Sequence, residues 1–425
     1  MFVKLDDALN WLYTRKRFSR RVNLCQMEYA LKLLGSPEKS FKTIHIAGTN
    51  GKGSTATYIF HILKEKGIKC ALYSSPHVVM FNERIRIMDE YISDDDALRL
   101  INYIHDFNED FMKAGQETFT FFELLTMMSF IYFKENHVEI AVIECGLGGR
   151  LDATNVITPL ISIITAIQKD HMDVLGNTYL KIAKEKLGIV KDYIPLISAE
   201  NREEIMPLFK EECLKHSSEL HFVRNISSIK LSRNGTSFSY KGNPYKVPLI
   251  GLSQPKDASM AIEAINILNS KYGYEIEEDI VKKGLLKTWW PGRFEFIKDN
   301  VILDGGHNEG ALRDTYKTLK RFSGKKIVEI FGCMSDKDYK TMVEIIDQNA
   351  YKVIFTEIDY PRALHKEELY NLSLCSHKYM RKDLKSAINF ALKNLKEDEI
   401  LLIHGSLYLV SEARAYLGGE KECLN

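Results

Sequence analysis

Cysteine is sparse. Only seven of the 425 residues are cysteine, namely Cys25, Cys70, Cys145, Cys213, Cys333, Cys375 and Cys423, and no two stand at C-x-x-C spacing. An odd, scattered set argues against a disulfide framework and a structural zinc site, and fits a reducing compartment. Excess charge is also lacking: 58 Lys and Arg face 57 Asp and Glu, a formal net charge of +1. Overall charge thus gives no footing to a nucleic-acid or polybasic membrane role. No apolar run reaches the roughly 20 residues that a bilayer span requires. The longest, around residues 156–167, is broken by Thr, Pro and Ser. The first residues show no basic segment followed by an apolar one. A cytoplasmic protein with no membrane and no nucleic-acid partner is expected. No internal repeat or low-complexity tract is present.

What remains is ordinary globular composition, 45% hydrophobic and 27% charged, in a chain long enough for two or three domains. Short β-rich runs alternate with helical patterns. Residues 43–47, 69–73, 139–143 and 160–165 read as strands, and 54–66, 94–113, 121–134 and 179–190 as helices. Such alternation predicts a parallel sheet covered by helices. Residues 226–248 differ: they alternate, contain Asn234-Gly235, and read as a small antiparallel ribbon. Helical patterns return at 257–270 and 277–287. Pro291-Gly292 then breaks the chain. Beyond it, strand patterns at 301–303, 326–331, 353–356 and 399–403 alternate with helices. The expected fold is α/β: a mostly parallel, P-loop-type domain with its ribbon over residues 1–292, and a smaller Rossmann-like α/β domain over 293–425.

The sharpest local motif is Ala47-Gly48-Thr49-Asn50-Gly51-Lys52-Gly53-Ser54-Thr55, a glycine-rich turn between an apolar strand and a helix. Glycines let backbone N–H groups approach phosphate oxygens, and a helix N-terminus adds its positive end. Lys52 can reach the β- and γ-phosphates and Ser54 can ligate Mg²⁺. The spacing departs from G-x-x-x-x-G-K-[ST], because Gly53 follows Lys52; the plain alternative is a tight turn with a solvated lysine. Glu144-Cys145-Gly146-Leu147-Gly148-Gly149-Arg150-Leu151-Asp152 follows another strand, where ligands gather in open α/β sheets. Glu144 could hold Mg²⁺ there; a glycine-rich connector is the alternative. Leu151 breaks the G-x-G-x-x-G pattern, so a dinucleotide site has little support. In Asp170-His171, the His171 side chain suits a metal or a proton, or else a structural hydrogen bond. Asp304-Gly305-Gly306-His307-Asn308 ends a strand of the second domain, and Arg293 follows the chain break.

Taken in order, these pieces resemble the folylpolyglutamate synthase/dihydrofolate synthase family of the Mur-ligase superfamily. The resemblance begins at Asn23-Leu24 and runs through Ser74-Ser75-Pro76-His77, Phe81-Asn82-Glu83-Arg84-Ile85, Thr120-Phe121-Phe122-Glu123 and Glu185-Lys186-Leu187-Gly188. It continues in Trp290-Pro291-Gly292-Arg293, Asp336-Lys337-Asp338 and Gly405-Ser406-Leu407-Tyr408. It implies an ATP-dependent ligase. ATP phosphorylates a folate or dihydropteroate carboxylate, and the amino group of L-glutamate attacks the acyl phosphate. By resemblance, Asn50, Gly51, Lys52, Gly53, Ser54, Asp257, Arg293, Asp304 and His307 bind ATP. Ser54, Ser75, Glu144, His171 and Lys186 hold Mg²⁺, with a monovalent cation admitted beside it. Thr120, Phe121, Phe122, Glu123, Leu151, Asp152 and Ala153 line the folate or pteroate site. Lys52, His171 and Lys186 are the catalytic set, and Lys186 matches a lysine carboxylated in this family. A monomer is implied.

Four departures stand out. Ser253 falls where the family usually has His, Asp257 where it carries an Asn that contacts ATP, Gln168 where it usually has Gly, and Gly306 where it usually has Ala. An ionised Asp257 only accepts hydrogen bonds, so weaker ATP binding is expected than with Asn. Competing readings are another Mur-type amino-acid ligase, a nucleotide-binding switch or kinase, and a silent paralogue.

Overall fold

A computed structural model describes residues 1–16 and 23–418. Cys423 lies outside the described residues; the other six cysteines are free thiols. The first sheet contains β1 (Lys42–Ala47), β2 (Cys70–Tyr73), β3 (Ile85–Ile87), β4 (Glu90–Tyr91), β5 (Ile140–Glu144), β6 (Ile161–Ile164), β7 (Leu196–Ser198) and β8 (Leu220–Phe222). Their order is β4-β3-β2-β5-β1-β6-β7-β8. β3 and β4 run antiparallel at one edge, and the other six are parallel. The central strands are buried on both faces, as their unbroken runs of Ile, Val and Ala require. The helix Lys52–Glu65 lies on one face and is buried from Ser54 to Leu63. Two further helices, Gln254–Tyr272 and Glu278–Leu286, complete that layer. The opposite face is covered by Asp94–Lys113 and Phe121–Glu135, whose aromatic and Met side chains build a second core.

The expected ribbon is a three-stranded antiparallel sheet of β9 (Ile226–Ser232), β10 (Gly235–Tyr240) and β11 (Asn243–Val247). The other half holds β12 (Glu295–Lys298), β13 (Val301–Asp304), β14 (Lys326–Phe331), β15 (Lys352–Phe355), β16 (Lys378–Met380) and β17 (Glu399–His404), ordered β12-β13-β17-β14-β15-β16. Only β12 is antiparallel in that sheet. Several short strands at or near the sheet edges escape sequence reading. β3, β7, β8, β12 and β16 have three or four residues each, too few for a period to register. The helix expected from residue 257 starts at Gln254, because Pro255 sits in its first turn, where a missing N–H costs nothing. Among the described residues no helix is long and apolar enough to cross a membrane.

Candidate active site

β1 ends at Ala47, and the chain turns through Gly48, Thr49, Asn50 and Gly51 into the helix that opens with Lys52. The turn is fastened to the neighbouring strand end. Thr49 N donates to Ala166 O at 2.7 Å, and Thr165 Oγ1 donates to Asn50 O at 2.8 Å. Gly53, which spoiled the usual spacing, is glycine for a packing reason: a Cβ there would stand 2.8 Å from the Trp290 ring that covers the loop. Lys52 Nζ donates to Gly48 O at 3.1 Å and lies 3.8 Å from Glu144 Oε1. The loop thus presents free helix-start N–H groups and an ammonium to the same space, the equipment of a polyphosphate site.

Glu144 closes β5 directly beside this loop. It is buried, and Oε2 accepts the Ser75 N–H at 3.1 Å. Burial pushes its carboxyl upward, against the pull of Lys52, the Ser75 N–H, Arg293 and Arg84. Among the described residues no hydrogen-bond donor reaches Oε1, so the carboxylate has an oxygen to give. With the hydroxyls of Ser54 and Ser75 in the same cleft, this is a hard-oxygen donor set that suits Mg²⁺. Lys186 lies on the helix Tyr179–Leu187, which comes close because Gly149 has no side chain. A Cβ on Gly149 would meet the Glu185 and Lys186 carbonyl oxygens at 2.8 Å. Gly149 therefore serves helix approach, while Gly146 makes room for the Phe122 ring. Lys186 Nζ is buried and donates to Gly48 O at 2.9 Å. Burial, reinforced by the Lys52 charge, lowers its pKa to about 7. His171 adopts left-handed backbone with φ 49°, a conformation that non-glycine residues hold where the surroundings impose it.

The second domain supplies the facing wall. Asp304 Oδ1 accepts the Gly306 N–H at 2.7 Å, and Oδ2 accepts the Phe294 N–H at 3.0 Å, so it fixes both loops that carry Arg293 and His307. Asn50 and Asn308 exchange two amide hydrogen bonds of 3.0 Å across the cleft. Asp170 gathers the rest: Lys337 Nζ donates to it at 2.7 Å, Asn308 Nδ2 at 3.2 Å, and His307 Nε2 lies at 3.5 Å. Burial opposes its charge, but His307, Lys337 and His171 hold the carboxyl well below the usual range. Lys337 Nζ also stands 3.3 Å from His171 Nε2.

One cleft of about 650 Å³ is lined by Asn50, Gly51, Lys52, Gly53, Ser54, Ser75, Glu144, His171, Lys186, Asp257, Arg293, Asp304 and His307. All the residues expected to serve ATP and metal thus share one space. The seven expected to line a folate site are not on its wall. Thr120 and Glu123 form a capping box, with Glu123 Oε2 accepting from Thr120 N at 2.7 Å and Thr120 Oγ1 at 2.9 Å. Asp152 is a buried brace: Oδ2 accepts the Leu147 N–H at 2.8 Å and Oδ1 the Thr154 N–H at 3.1 Å. Phe122 packs on Gly146, Phe121 stacks on Tyr13 with centroids 5.6 Å apart, Ala153 is buried, and Leu151 is exposed.

Asp257 departs from its expected state. Its carboxyl is buried against the phosphate loop, and among the described residues it receives no hydrogen bond. Burial, with nearby Asp314, holds its pKa well above the carboxylate range despite Lys256 and Arg293. The shift favours the neutral acid, which can donate as well as accept. Sequence reasoning missed Asp170, Lys337, Asn308 and Asp314 as site residues. The Asp336-Lys337-Asp338 and Asp304–Asn308 motifs carried a signal for two of them; Asp314 lies on an amphipathic helix and carried none.

Comparison with known proteins places the chain among the Mur ligases. Residues 46–265 match the Mur ligase middle domain, and residues 292–407 match the glutamate ligase domain of Mur ligases. The chain is 36% identical to the dihydrofolate synthase/folylpolyglutamate synthase of Bacillus subtilis, over 98% of this chain and 100% of that protein. It is 32% identical to the folylpolyglutamate synthase of Lacticaseibacillus casei, over 99% of this chain and 100% of that one. The structure of Mycobacterium tuberculosis folylpolyglutamate synthase complexed with ADP superimposes with a TM-score of 0.90 at 26% identity, over 98% of each chain.

Proposed function

The chain belongs to the folylpolyglutamate synthase/dihydrofolate synthase family of Mur ligases, and from that premise we propose how its cleft joins L-glutamate to a folate or to 7,8-dihydropteroate at the expense of ATP. ATP binds with its phosphates on the Gly51–Ser54 turn and its nucleoside between that turn and the loops of Arg293, Asp304 and His307. The acceptor carboxylate attacks the γ-phosphorus, a C–O–P bond forms, and ADP leaves. Lys52 and Arg293 offset the charge that spreads over the transferring group. The glutamate amine then attacks the acyl carbon, the C–O bond to phosphate breaks, and phosphate leaves as the amide forms.

Ser54, Ser75 and Glu144 would hold Mg²⁺, with His171 and Lys186 completing the set. The ion supplies Lewis-acid charge and orients two anions that would otherwise repel. A monovalent cation rests on family resemblance alone, with no donor set of its own. Lys186 takes part as a carbamate: only a neutral amine can attack carbon dioxide, and a pKa near 7 leaves a large neutral fraction at physiological pH. The N–C bond forms as one C=O π bond opens, and the neutral amine gives up one proton; counted from the ammonium, two protons leave and a cation becomes an anion with a pair of oxygen donors. The folate group lies outside the nucleotide wall, beside Phe121, Phe122 and the Leu151–Ala153 turn, held by its apolar and aromatic faces, since the polar groups of Thr120, Glu123 and Asp152 are spent on the protein.

One chain supplies both walls of the cleft, which supports a monomer, and Pro291-Gly292 marks the division into residues 1–292 and 293–425. The near-neutral charge speaks against nucleic acid, and the free thiols support a cytoplasmic location. The observation that carries the reading is the convergence of the phosphate turn, Glu144 and Lys186 with Arg293, Asp304 and His307 on one cleft. Incubation with ATP, Mg²⁺, L-glutamate and a panel of pteroates and folates should release phosphate and give a product heavier by one glutamyl residue. ADP binding without product from any member of the panel would refute the reading, and would favour a silent paralogue.

A further inference from the structure

We propose that Arg84 binds a substrate carboxylate that takes no part in bond making, at a subsite between the two domains; the inference rests on the ligase reading above. Arg84 ends the short turn Phe81–Arg84 and is only 5% exposed. No carboxylate of the described residues lies within ion-pair distance of it. The adjoining acid is not its partner, because Glu83 turns its two oxygens to the N–H groups of Val78, Val79 and Met80 at 2.7 to 2.9 Å. Nε donates to His77 Nδ1 at 2.8 Å, while the two terminal nitrogens donate to no described residue. His77 faces the guanidinium with Nδ1 as the acceptor of that N–H. It orients the guanidinium without neutralising it.

The rest of the surroundings is aromatic. The guanidinium carbon lies 5.4 Å from the centroid of Phe121, and the ionisable groups that act on it are Tyr73, Tyr13, Tyr408 and Glu144. Glu144 is the one carboxylate in that set, and its two oxygens face Lys52 and the Ser75 N–H. A buried guanidinium offers a planar fork that matches a carboxylate, and an uncompensated one is costly to keep. A cation–π contact with one ring offsets part of that cost. A ligand carboxylate would offset the rest and would be gripped more strongly for being out of water.

The position fits. Ser75, two residues before His77, lines the cleft and donates to Glu144, and Glu144 is among the charges that act on Arg84, so the guanidinium lies close behind the reacting side of the cleft. Tyr408 brings the second domain over it, one residue after Leu407 of the cleft wall. Two substrates carry a carboxylate that does not react: the incoming glutamate, and the glutamyl tail of a folate. Both present the same chemistry, and dihydropteroate has no such tail.

The test is steady-state kinetics of the full chain with Arg84→Gln and Arg84→Lys, using tetrahydrofolate and 7,8-dihydropteroate as acceptors. With Arg84→Gln, the KM for L-glutamate should rise about tenfold or more with kcat changed by less than about threefold, if the incoming amino acid is held. If the tail is held, the KM for tetrahydrofolate rises instead while that for dihydropteroate does not. Arg84→Lys should recover part of the loss, and ADP affinity should match the unmodified protein in both. Unchanged KM values, or a loss confined to kcat, would overturn the proposal and leave Arg84 as a structural cation among aromatic rings. If neither variant folds, a crystal structure of the unmodified chain with ADP, L-glutamate and tetrahydrofolate decides, and no carboxylate within ion-pair distance of Arg84 overturns it. No turnover by the unmodified chain would instead refute the ligase reading.

Discussion

Asp257 lies against Gly51: a Cβ built on Gly51 would stand 2.4 Å from Asp257 Oδ1. The helix Gln254–Tyr272 thereby props the phosphate turn from behind, at the one position of the turn where φ is +86°. Gly51→Ala meets two penalties at once. An L-residue in that backbone region costs about 1–2 kcal/mol, and the new methyl must push the carboxyl aside. We expect the variant to stay folded and to bind ATP at least tenfold more weakly. Calorimetric titration with ADP checks this, and wild-type affinity would mean that the turn moves on binding.

The same contact changes what Asp257 can do. Burial against the turn and beside Asp314 favours its protonated form, which has the donor and acceptor that an Asn has. At low pH, ATP should bind comparably to wild type and to Asp257→Asn. As pH rises through the raised pKa, wild type should lose affinity while the variant does not, which the KM for ATP against pH will reveal. Stability follows the same sign. A carboxyl whose folded pKa lies above its unfolded value contributes stability below about 3.9 and forfeits it as pH rises. Asp257→Asn should therefore raise Tm at neutral pH, and parallel pH profiles for the two proteins would count against a neutral Asp257.

Much of this was legible in the chain. The runs that became β1, β5 and β14 are continuous and apolar, and a fully buried strand needs nothing else to announce it. Gly48–Ser54 carried its chemistry in its spacing, and Glu144 and Lys186 could be named once the ordered motifs resembled a family. Other features depend on distance in sequence. Asp170 and Lys337 are 167 residues apart, and only the closing of two domains makes them a pair. Asp152 shows the reverse limit: its identity suggests a ligand contact, but Leu147 and Thr154 lie within five residues of it and take both its oxygens. The protonation of Asp257 was hidden too, since nothing in a sequence records how dry a carboxyl becomes.

Lys52 and Glu144 face each other at 3.8 Å across the mouth of the phosphate turn, with Lys52 anchored by Gly48 O and Glu144 by the Ser75 N–H. Neither is part of a hydrophobic core, so each can be truncated without collapse. Lys52→Ala removes charge from the transferring phosphoryl group, and Glu144→Ala removes the central metal donor. Each should lower kcat by on the order of 10²–10³. Glu144→Ala should also stabilise the fold slightly, because it deletes a buried carboxylate and leaves Lys52 its carbonyl partners. Phosphate release at saturating Mg-ATP and thermal melting measure the two effects, and near-wild-type turnover would remove the residue concerned from the mechanism.

Lys186 offers the sharpest test of how the site matures. Its amine is buried, held by Gly48 O, and shifted to about 7 by the dry surroundings and by Lys52. A lysine with the ordinary value of about 10.4 is almost wholly protonated at pH 7 and inert to carbon dioxide; this one is half neutral. Carbamate formation should therefore depend on pH through two opposed terms. The neutral amine grows as pH rises through about 7, whereas dissolved carbon dioxide falls as bicarbonate replaces it. Protein depleted of carbon dioxide at mildly acidic pH should lose activity and regain it on adding bicarbonate and Mg²⁺. Labelled bicarbonate should give a single carbamate resonance that Lys186→Ala lacks. Lys186→Ala should lose most turnover, and a small added carboxylate should restore part of it. Full activity in rigorously depleted protein, or labelling that survives Lys186→Ala, would show that the buried amine acts as an amine, holding Gly48 rather than carrying a carboxylate.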